Sequence, residues 1–238
     1  PALKPLAAGT VATPDKAAGA ALRARSLECL ALLGCEAGIG VFGTDAADFL
    51  HVVTRDYFDE GRQPEDDVER TGALKSVVRV ASCLGSDFAP FLSRVVPPLL
   101  EAASGTRVIV EKGEDDSDYE EGQEQYVVRT EALAEQAEAC NLVLLLAEAC
   151  GPTFANYVTL CLEALGPVAN TAISGDVRSL ALAALPALVD CANRAALLVG
   201  GDGRGPLLFA LDACLASLAE EDESEPLETA ARALGAVS

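Results

Sequence analysis

The sequence is poor in the residues from which catalytic and metal sites are most often built. Its 238 residues include a single histidine, His51, and only 5% are aromatic. The eight cysteines never form a C-x-x-C pair, and they lie in apolar stretches such as ASCLG and EACNLVLLL. Zinc sites need closer ligand spacing, whereas free cysteine in an apolar helix behaves as a small hydrophobe. We therefore expect reduced core thiols of an intracellular protein, with no metal and no cofactor.

Basic residues are also scarce. The chain has 17 Lys and Arg against 37 Asp and Glu, which gives a net charge of −20. A surface this acidic repels phosphate backbones and anionic lipid headgroups. Nucleic acid and membranes are therefore excluded as direct partners, and basic proteins are favoured.

Long uninterrupted apolar runs are missing. A membrane-spanning helix needs about 20 apolar residues. The longest candidate, SLALAALPALVDC, is shorter, contains Pro186 and ends beside Asp190. We expect no transmembrane helix and see no signal-peptide pattern. Since the sequence starts without methionine, in what reads as a helix, we expect a fragment of a longer protein.

An internal repeat predicts the architecture. Residues 81–103, ASCLGSDFAPFLSRVVPPLLEAA, align with residues 147–169, AEACGPTFANYVTLCLEALGPVA, at an offset of 66. Removing an insertion of about 25 residues leaves a period of about 41, which is typical of HEAT or armadillo arrays with two helices per unit. Half of the residues are hydrophobic, and Ala and Leu, both strong helix formers, dominate them. We predict an all-α HEAT-repeat solenoid with one long acidic insertion between helices.

Apolar spacing and helix breakers place the helices of this solenoid. We call the first helix of each pair A and the second B. The predicted B helices are 17–35, 64–84, 130–150, 176–192 and one from Pro226; the A helices are a tail at ALKPLA, then 44–58, 87–103, 152–169 and 206–221. Thr44 is a predicted N-cap, and Pro186 should kink or shorten its helix. Residues 1–238 thus form one array of about five to six helix pairs, with the insertion at 104–129.

The carboxylates concentrate in the connections from A to B helices. The acidic strap, residues 107–128, reads RVIVEKGEDDSDYEEGQEQYVV, and DEGRQPEDDVE and EEDESEP are its counterparts. Connections from B to A are nearly neutral, so one edge of the solenoid should be strongly negative. The edge either keeps the array soluble or binds a basic ligand. The strap residues that would contact that ligand are Glu111, Glu114, Asp115, Asp116, Asp118, Glu120, Glu121 and Glu124.

The B helix at 130–150 carries a second polar feature. Five of its polar side chains are spaced to share one stripe: Glu131, Glu135, Glu138, Asn141 and Glu148. A second stripe, made of Leu133, Ala137, Cys140, Leu144 and Ala147, should face the core. The polar stripe is either a solvated face or a groove lining that accepts Lys and Arg side chains.

Two glycine-rich motifs and the histidine indicate no enzyme. GIGVFG at 38–43 matches a dinucleotide-binding pattern, but a helix precedes it where a strand is needed. GGDGRG at 200–205 lacks the residues of a phosphate loop and reads as a turn. His51 should face solvent and has no nucleophile to pair with. The carboxylates lie in loops where nothing apolar would raise their pKa.

The order of several segments resembles a known family. LRARSLECLALLG, LGSDFAPFLSRVVPPLLEAAS, the acidic insertion, EQAEACNLVLLLAEACG and DVRSLALAALPALVDCAN follow one another as in the importin-5 (karyopherin-β3) branch of the importin-β superfamily. The chain is similar to a middle-to-C-terminal part of such a receptor. It departs from the family in its richness in Ala and Gly and in a strap without the aromatic residues expected there.

The resemblance implies a nuclear import receptor that shuttles between cytoplasm and nucleus. Such a receptor binds basic cargo, for example ribosomal proteins and histones, releases it on binding Ran-GTP and contacts Phe-Gly nucleoporins. It implies that the B helices line the concave face, so that the stripe on 130–150 faces cargo or Ran. Ran would act through the full-length receptor, because the amino-terminal Ran-binding arch is absent here. The alternative is a HEAT scaffold subunit of a phosphatase or chromatin assembly.

Ser117 precedes Asp118 and Glu120, the pattern that acid-directed kinases favour. We expect phosphorylation there to make the strap more negative, because a phosphate adds between about −1.5 and −2 charges. Phosphopeptide mapping of protein from cells checks this prediction. Uniformly unmodified Ser117 would contradict it.

Overall fold

The computed structural model describes residues 15–58, 67–105, 111–112, 126–127, 130–200, 202 and 204–237. Nine α-helices lie in these ranges: α1 Lys16–Ala37, α2 Ile39–Tyr57, α3 Asp67–Leu84, α4 Leu92–Ala103, α5 Thr130–Cys150, α6 Ala155–Thr171, α7 Gly175–Val199, α8 Arg204–Glu220 and α9 Ser224–Val237. Short 3₁₀ helices, Gly85–Phe91 and Gly151–Phe154, lead into α4 and α6. Strands β1 (Glu111–Lys112) and β2 (Tyr126–Val127) pair antiparallel.

The helices stack in two parallel rows. The B helices α1, α3, α5, α7 and α9 pack against one another in chain order. The A helices α2, α4, α6 and α8 form the second row, and each packs on the B helix that follows it. This nearest-neighbour packing defines a solenoid, so the predicted all-α architecture is confirmed. Contacts within the B row are more extensive than those within the A row.

One continuous core runs through the array from Leu27 to Ala233. The residues that the repeat alignment equates occupy equivalent places in it. Phe88 and Phe154 are both fully buried at the start of successive A helices. Each is preceded by a glycine in the left-handed region, Gly85 at φ 59° and Gly151 at φ 53°. The left-handed turn, which glycine adopts without steric penalty, brings the chain from a B helix into the next A helix.

All four connections from B to A helices contain such a glycine. Besides Gly85 and Gly151, these are Gly38 at φ 81° and Gly200 at φ 68°. We call the side of the solenoid defined by these four turns the glycine edge. The acidic edge is the opposite side, where A helices connect to B helices.

Helix α2 begins earlier than predicted. The N-cap prediction at Thr44 is wrong, because α2 starts at Ile39 with Gly38 as its cap. The N–H groups of Val41 and Phe42 donate to the Gly38 carbonyl at 3.0 and 2.9 Å, which closes the first turn directly after Gly38. A Cβ on Gly34 would lie 2.5 Å from the Phe42 ring, so the ring packs closely onto α1.

Helix α7 is longer than predicted. It continues past Pro186 and past the predicted end at residue 192 to Val199, so the expected shortening is wrong. Leu182, Leu185 and Leu188 are fully buried on either side of the proline. Their burial stabilises the helix despite the hydrogen bond that proline removes. NRAALLV is therefore helical and not part of a loop.

Two expectations about apolar segments need correction. By length and composition, 130–171 and 175–199 are apolar enough to span a membrane. In the solenoid both are built from core helices whose apolar faces pack on neighbouring repeats, which accounts for their hydropathy. The cysteines are all free, but Cys29 is exposed, and Cys35 and Cys83 are only half-buried.

A substitution of Gly72 tests how closely α3 packs against α1 in the B row. A Cβ there would lie 2.6 Å from Ala24 Cβ and 2.8 Å from Ala24 Cα. Because backbone must move to relieve this overlap, Gly72→Ala should lower the free energy of unfolding by about 1–3 kcal/mol. Urea denaturation followed by circular dichroism measures the change.

Gly43→Ala is the matched control within α2, since its Cβ would meet only Ile39 at 3.8 Å. Helix propensity should make it neutral or stabilising by up to about 1 kcal/mol. Equal destabilisation by the two substitutions would contradict the close approach of α1 and α3.

Candidate functional site

The polar stripe on α5 lies on the side of the helix away from the core. Glu131 and Glu148 are exposed, while Glu135, Glu138 and Asn141 are half-buried. The opposite side buries Gln136, Ala139, Cys140, Leu142, Val143, Leu146, Ala147 and Cys150. Of the predicted core stripe, Cys140 and Ala147 are buried, whereas Leu133, Ala137 and Leu144 are half-buried.

One stripe residue has a cationic partner on the neighbouring B helix. The Lys75 Nζ on α3 lies 3.5 Å from a carboxylate oxygen of Glu138. Glu131 and Glu148 are exposed near opposite ends of α5. The B row therefore presents a face on which carboxylates remain open to solvent.

Most of the predicted strap residues lie outside the described residues. This holds for Ser117 and for Glu114, Asp115, Asp116, Asp118, Glu120, Glu121 and Glu124. Glu111 is described only through its backbone, which pairs with Val127 in the β1–β2 ladder. The two flanks of the strap thus pair with each other.

The acidic edge contains arginines that bind carboxylates of neighbouring elements. Arg23 on α1 donates two hydrogen bonds to the Glu69 carboxylate on α3, at 2.6 and 2.8 Å. Glu69 is itself buried. Burial, together with the adjacent Glu69 carboxylate, raises the pKa of Tyr57 at the end of α2. Arg23, Glu69 and Tyr57 therefore connect three helices at this edge.

Two further contacts join helix ends on the same edge. Arg70 on α3 is buried and donates to the Glu101 carboxylate on α4 at 2.6 Å. Gln136 on α5 donates to the Ala103 carbonyl at 3.1 Å. Arg70 and Gln136 thus donate hydrogen bonds to a carboxylate and a backbone carbonyl at the carboxyl end of α4. No following helical turn supplies N–H donors there.

Arg178, in the first turn of α7, is the most heavily bonded of these arginines. Its Nε and Nη2 donate to the two Glu221 carboxylate oxygens at 2.6 and 2.9 Å. Nη2 also donates to Glu223 at 2.7 Å, and Nη1 donates to the Ala172 carbonyl at 2.7 Å. The hydrogen bond from Arg178 lowers the pKa of the Glu221 carboxyl. The same bond raises the pKa of the Arg178 guanidinium, against the effect of burial.

The carboxylates of the acidic edge therefore divide into two groups. Glu69, Glu101 and Glu221 hold arginines and stabilise the stack of repeats. Glu220 and Asp222 are exposed beside them. No sequence pattern described above singles out these arginines, although Asp176 and Arg178 open α7 with the Asp-x-Arg spacing that is often found on the second helix of HEAT units.

The described part of the acidic edge is more negative than the glycine edge. Four consecutive carboxylates, at 220–223, end α8 and enter the connection to α9. On the glycine edge two carboxylates pair with nearby arginines, Asp190 with Arg194 at 3.3 Å and Asp202 with Arg204 at 3.6 Å. Glu220, Asp222 and Glu223 of this run are exposed, so the edge carries carboxylates open to solvent.

Within the described residues, no three His, Cys, Asp or Glu side chains form a group that could hold a metal ion. His51 is exposed, and its ring meets Phe91 edge-on with the centroids 5.1 Å apart. Burial raises the pKa of the Cys140 and Cys161 thiols to about 12, so both thiols remain protonated at neutral pH.

Stacked helix pairs, neutral glycine turns on one edge and arginine-bound carboxylates on the other define the class of protein as a HEAT-repeat solenoid. No family model matches the sequence. The predicted resemblance to the importin-5 branch of the importin-β superfamily is confirmed by similarity to known proteins.

Two curated relatives and one solved structure show this similarity. A probable importin-5 homolog of Dictyostelium discoideum is 32% identical over 114 residues, which is 48% of this chain and 10% of the relative. Importin subunit beta-3 of Saccharomyces cerevisiae is 26% identical over 181 residues, 71% of this chain and 16% of the relative. The crystal structure of Kap121p superposes with a TM-score of 0.74 at 22% identity, covering 99% of this chain and 23% of that one. This chain thus spans a small part of each.

Other crystal structures of Kap121p show that protein bound to RanGTP, to Nup53p and to Pho4p.

Glu221→Gln tests the role of the Arg178 ion pair. The Glu221 pKa is lowered from its ordinary value of 4.5, so its contribution is present above that pH and is lost as the pH falls through the folded-state pKa. The variant should lower the free energy of unfolding by about 1–2 kcal/mol at pH 7, because a charged hydrogen bond is lost. The difference in the free energy of unfolding between the variant and the unmodified protein should shrink toward pH 3.

Urea denaturation from pH 7 to pH 3 measures both effects. Asp212→Asn, on the exposed face of α8, removes a carboxylate that forms no ion pair among the described residues and should change stability little. A Glu221→Gln penalty that stays constant with pH would show that charge is not the cause.

Proposed function

We propose that this chain is a segment of a nuclear transport receptor and binds basic protein cargo through the B-helix face and the acidic edge. The observation that supports this proposal best is the coincidence of two features. The chain is similar to two importins, over 114 and 181 residues, and its net charge of −20 is concentrated where A helices connect to B helices. Ribosomal proteins and histones are the proposed cargo class, since both are rich in Lys and Arg.

In this proposal a basic protein is recognised by long-range electrostatic attraction and by local hydrogen bonds to carboxylates. The acidic edge attracts a basic protein over about a Debye length, which is about 8 Å at physiological ionic strength. Carboxylates then make local hydrogen bonds to Lys and Arg side chains. On α5 these are the stripe residues, and in the strap they are the eight carboxylates between Glu111 and Glu124. Phosphorylation of Ser117 would strengthen the attraction.

The remaining partners are proposed for the full-length receptor. Kap121p has been crystallised with RanGTP and with Nup53p, which supports Ran and a nucleoporin as partners of the receptor that contains this segment. Ran-GTP would release the cargo, and nucleoporin contacts would carry the receptor between cytoplasm and nucleus. The negative surface disfavours direct binding of nucleic acid or anionic membrane.

Binding of a core histone to the full-length receptor tests the proposal. We expect affinity to fall by a factor on the order of 10 or more from about 50 to about 500 mM salt, because screening removes long-range attraction. Substituting Glu131→Gln and Glu148→Gln together should weaken binding by about tenfold at low salt. Adding GTP-loaded Ran should release the histone, whereas GDP-loaded Ran should not.

The matched control is Glu163→Gln with Asp212→Asn, which removes two exposed carboxylates from the A helices α6 and α8. It should change affinity by no more than about twofold. Affinity that is independent of salt would contradict electrostatic recognition. Failure to bind GTP-loaded Ran would favour the HEAT scaffold subunit of a phosphatase or chromatin assembly instead.

A further inference from the structure

Two cysteine thiols meet between the first two helices of the B row. Cys35 lies in the last turn of α1 and Cys83 in the last turn of α3, so both are at the glycine edge. The Cys35 thiol donates to the Arg79 carbonyl on α3 at 3.4 Å. Arg79 precedes Cys83 by one helical turn, and the Cys83 thiol hydrogen-bonds the Cys35 sulfur. The pair takes no part in the candidate functional site.

The register between α1 and α3 accounts for this contact. Ala24 on α1 lies against Gly72 on α3, 48 residues later in the sequence. Cys35 and Cys83 are also 48 residues apart, and each lies 11 residues beyond its helix's contact residue. Eleven residues make about three turns of α-helix, which returns both cysteines to the faces that touch at Gly72. The two thiols therefore meet because the helices run side by side in one register.

Both thiols are open to a small oxidant. Cys35 and Cys83 are half-buried, whereas the five cysteines from Cys140 to Cys214 are buried. The exposed Arg79 guanidinium favours the thiolate of Cys35, but burial and the neighbouring Cys83 thiol outweigh it and raise the pKa of Cys35 to about 12. The thiolate is the nucleophile in thiol oxidation. Cys35 is therefore a poor first nucleophile, which leaves Cys83 to react first.

We propose that Cys35 and Cys83 form a reversible disulfide between α1 and α3 when the chain meets a peroxide. The Cys83 thiolate attacks one peroxide oxygen, the O–O bond breaks, and Cys83 becomes a sulfenic acid while the other oxygen leaves as water. Cys35 then loses its proton and attacks the Cys83 sulfur, and the S–O bond breaks to release a second water. Two thiols thus lose two electrons and two protons, and one peroxide is reduced to two waters. The inference does not depend on the proposed function.

Contact between the thiols compensates for the high pKa of Cys35. At pH 7 a thiol with a pKa of about 12 is thiolate in about one molecule in 10⁵. Reacting groups held in contact reach effective molarities of about 10⁵–10⁸ M. The product of these two factors is about 1 M or more. Cys35 therefore competes with free thiols for the Cys83 sulfenic acid.

The disulfide fixes two neighbouring repeats at a second point. Arg23 and Glu69 already join α1 to α3 at the acidic edge, with Nε and Oε1 2.6 Å apart. Oxidation of Cys35 and Cys83 joins the same two helices at the glycine edge. The bond also closes a loop that contains the whole of α2. The first helices of the array are then held at both ends, and a thiol reductant reverses this by disulfide exchange.

The test treats the 238-residue chain with hydrogen peroxide, blocks the remaining thiols with iodoacetamide and maps disulfides by mass spectrometry without reduction. Trypsin separates Cys83, in peptide 80–94, from Cys29 and Cys35, in peptide 26–55. We expect these two peptides to be linked. Dithiothreitol should separate them. The unfolding equilibrium constant of the oxidised chain in urea should fall by a factor on the order of 100, because the cross-link constrains the unfolded state.

Cys29→Ser is the matched control, because Cys29 is the more exposed cysteine of the same helix and tryptic peptide. This variant should keep the link at an unchanged rate. Cys35→Ser should abolish it and leave a Cys83 sulfenic acid that dimedone traps, with the fold verified by circular dichroism. A link that persists in Cys35→Ser through Cys29 would overturn the proposal. Peroxide treatment that yields no linked peptide from the unmodified chain would also overturn it.

A second cysteine pair tells native reaction from unfolding. Cys191 on α7 donates to the Ala147 carbonyl on α5 at 3.3 Å, and its charge interaction with Cys150 places that thiol nearby. Both cysteines of this pair are buried. They should stay reduced while Cys35 and Cys83 are oxidised. Oxidation of the two pairs at equal rates would contradict the proposal, because the reaction would then report opening of the whole array.

Discussion

The fold depends on lateral burial between neighbouring helices of the B row. No helix pair of this chain can enclose its own apolar surface, so each pair is stabilised by the pairs on either side. The continuous core from Leu27 to Ala233 is the result. At Gly72 the absence of a side chain lets the backbone of α3 lie directly against Ala24 on α1. Because burial runs along the array, both edges are left free to differ in chemistry.

The two edges differ for a physical reason. Each connection from a B to an A helix contains a glycine with positive φ, a conformation that glycine adopts at little cost. Two connections from A to B, residues 58–66 and 104–129, are long and acidic, and the short connection 221–223 consists of three carboxylates. A row of carboxylates on a stacked array is destabilising by repulsion unless cations are interleaved. Arg23, Arg70 and Arg178 supply those cations, and each bridges to another element on the same edge.

In the proposed function the acidic edge is both a structural joint and a binding surface. Carboxylates that hold arginines are fixed and partly neutralised, whereas their exposed neighbours are available to a partner. The end of α8 is the clearest case, because Glu221 and Glu223 bind Arg178 while Glu220 and Asp222 remain exposed. In the proposed function, specificity for a basic protein comes from positioned acceptors, and the net charge of −20 supplies attraction at longer range.

The sequence by itself determined the helical class, the repeat and most helix positions. Apolar periodicity and glycines at helix ends are local signals. The helix predicted at Thr130–Cys150 agrees with α5 of the structure at both ends. Local signals failed where burial outweighed them, as at Pro186 and Thr44. Only the tertiary structure decided which carboxylates are bound by arginine and which thiols meet. Arg178 and Glu221 are 43 residues apart and Cys35 and Cys83 are 48 apart, so their juxtaposition follows from how successive repeats stack and not from any pattern along the chain.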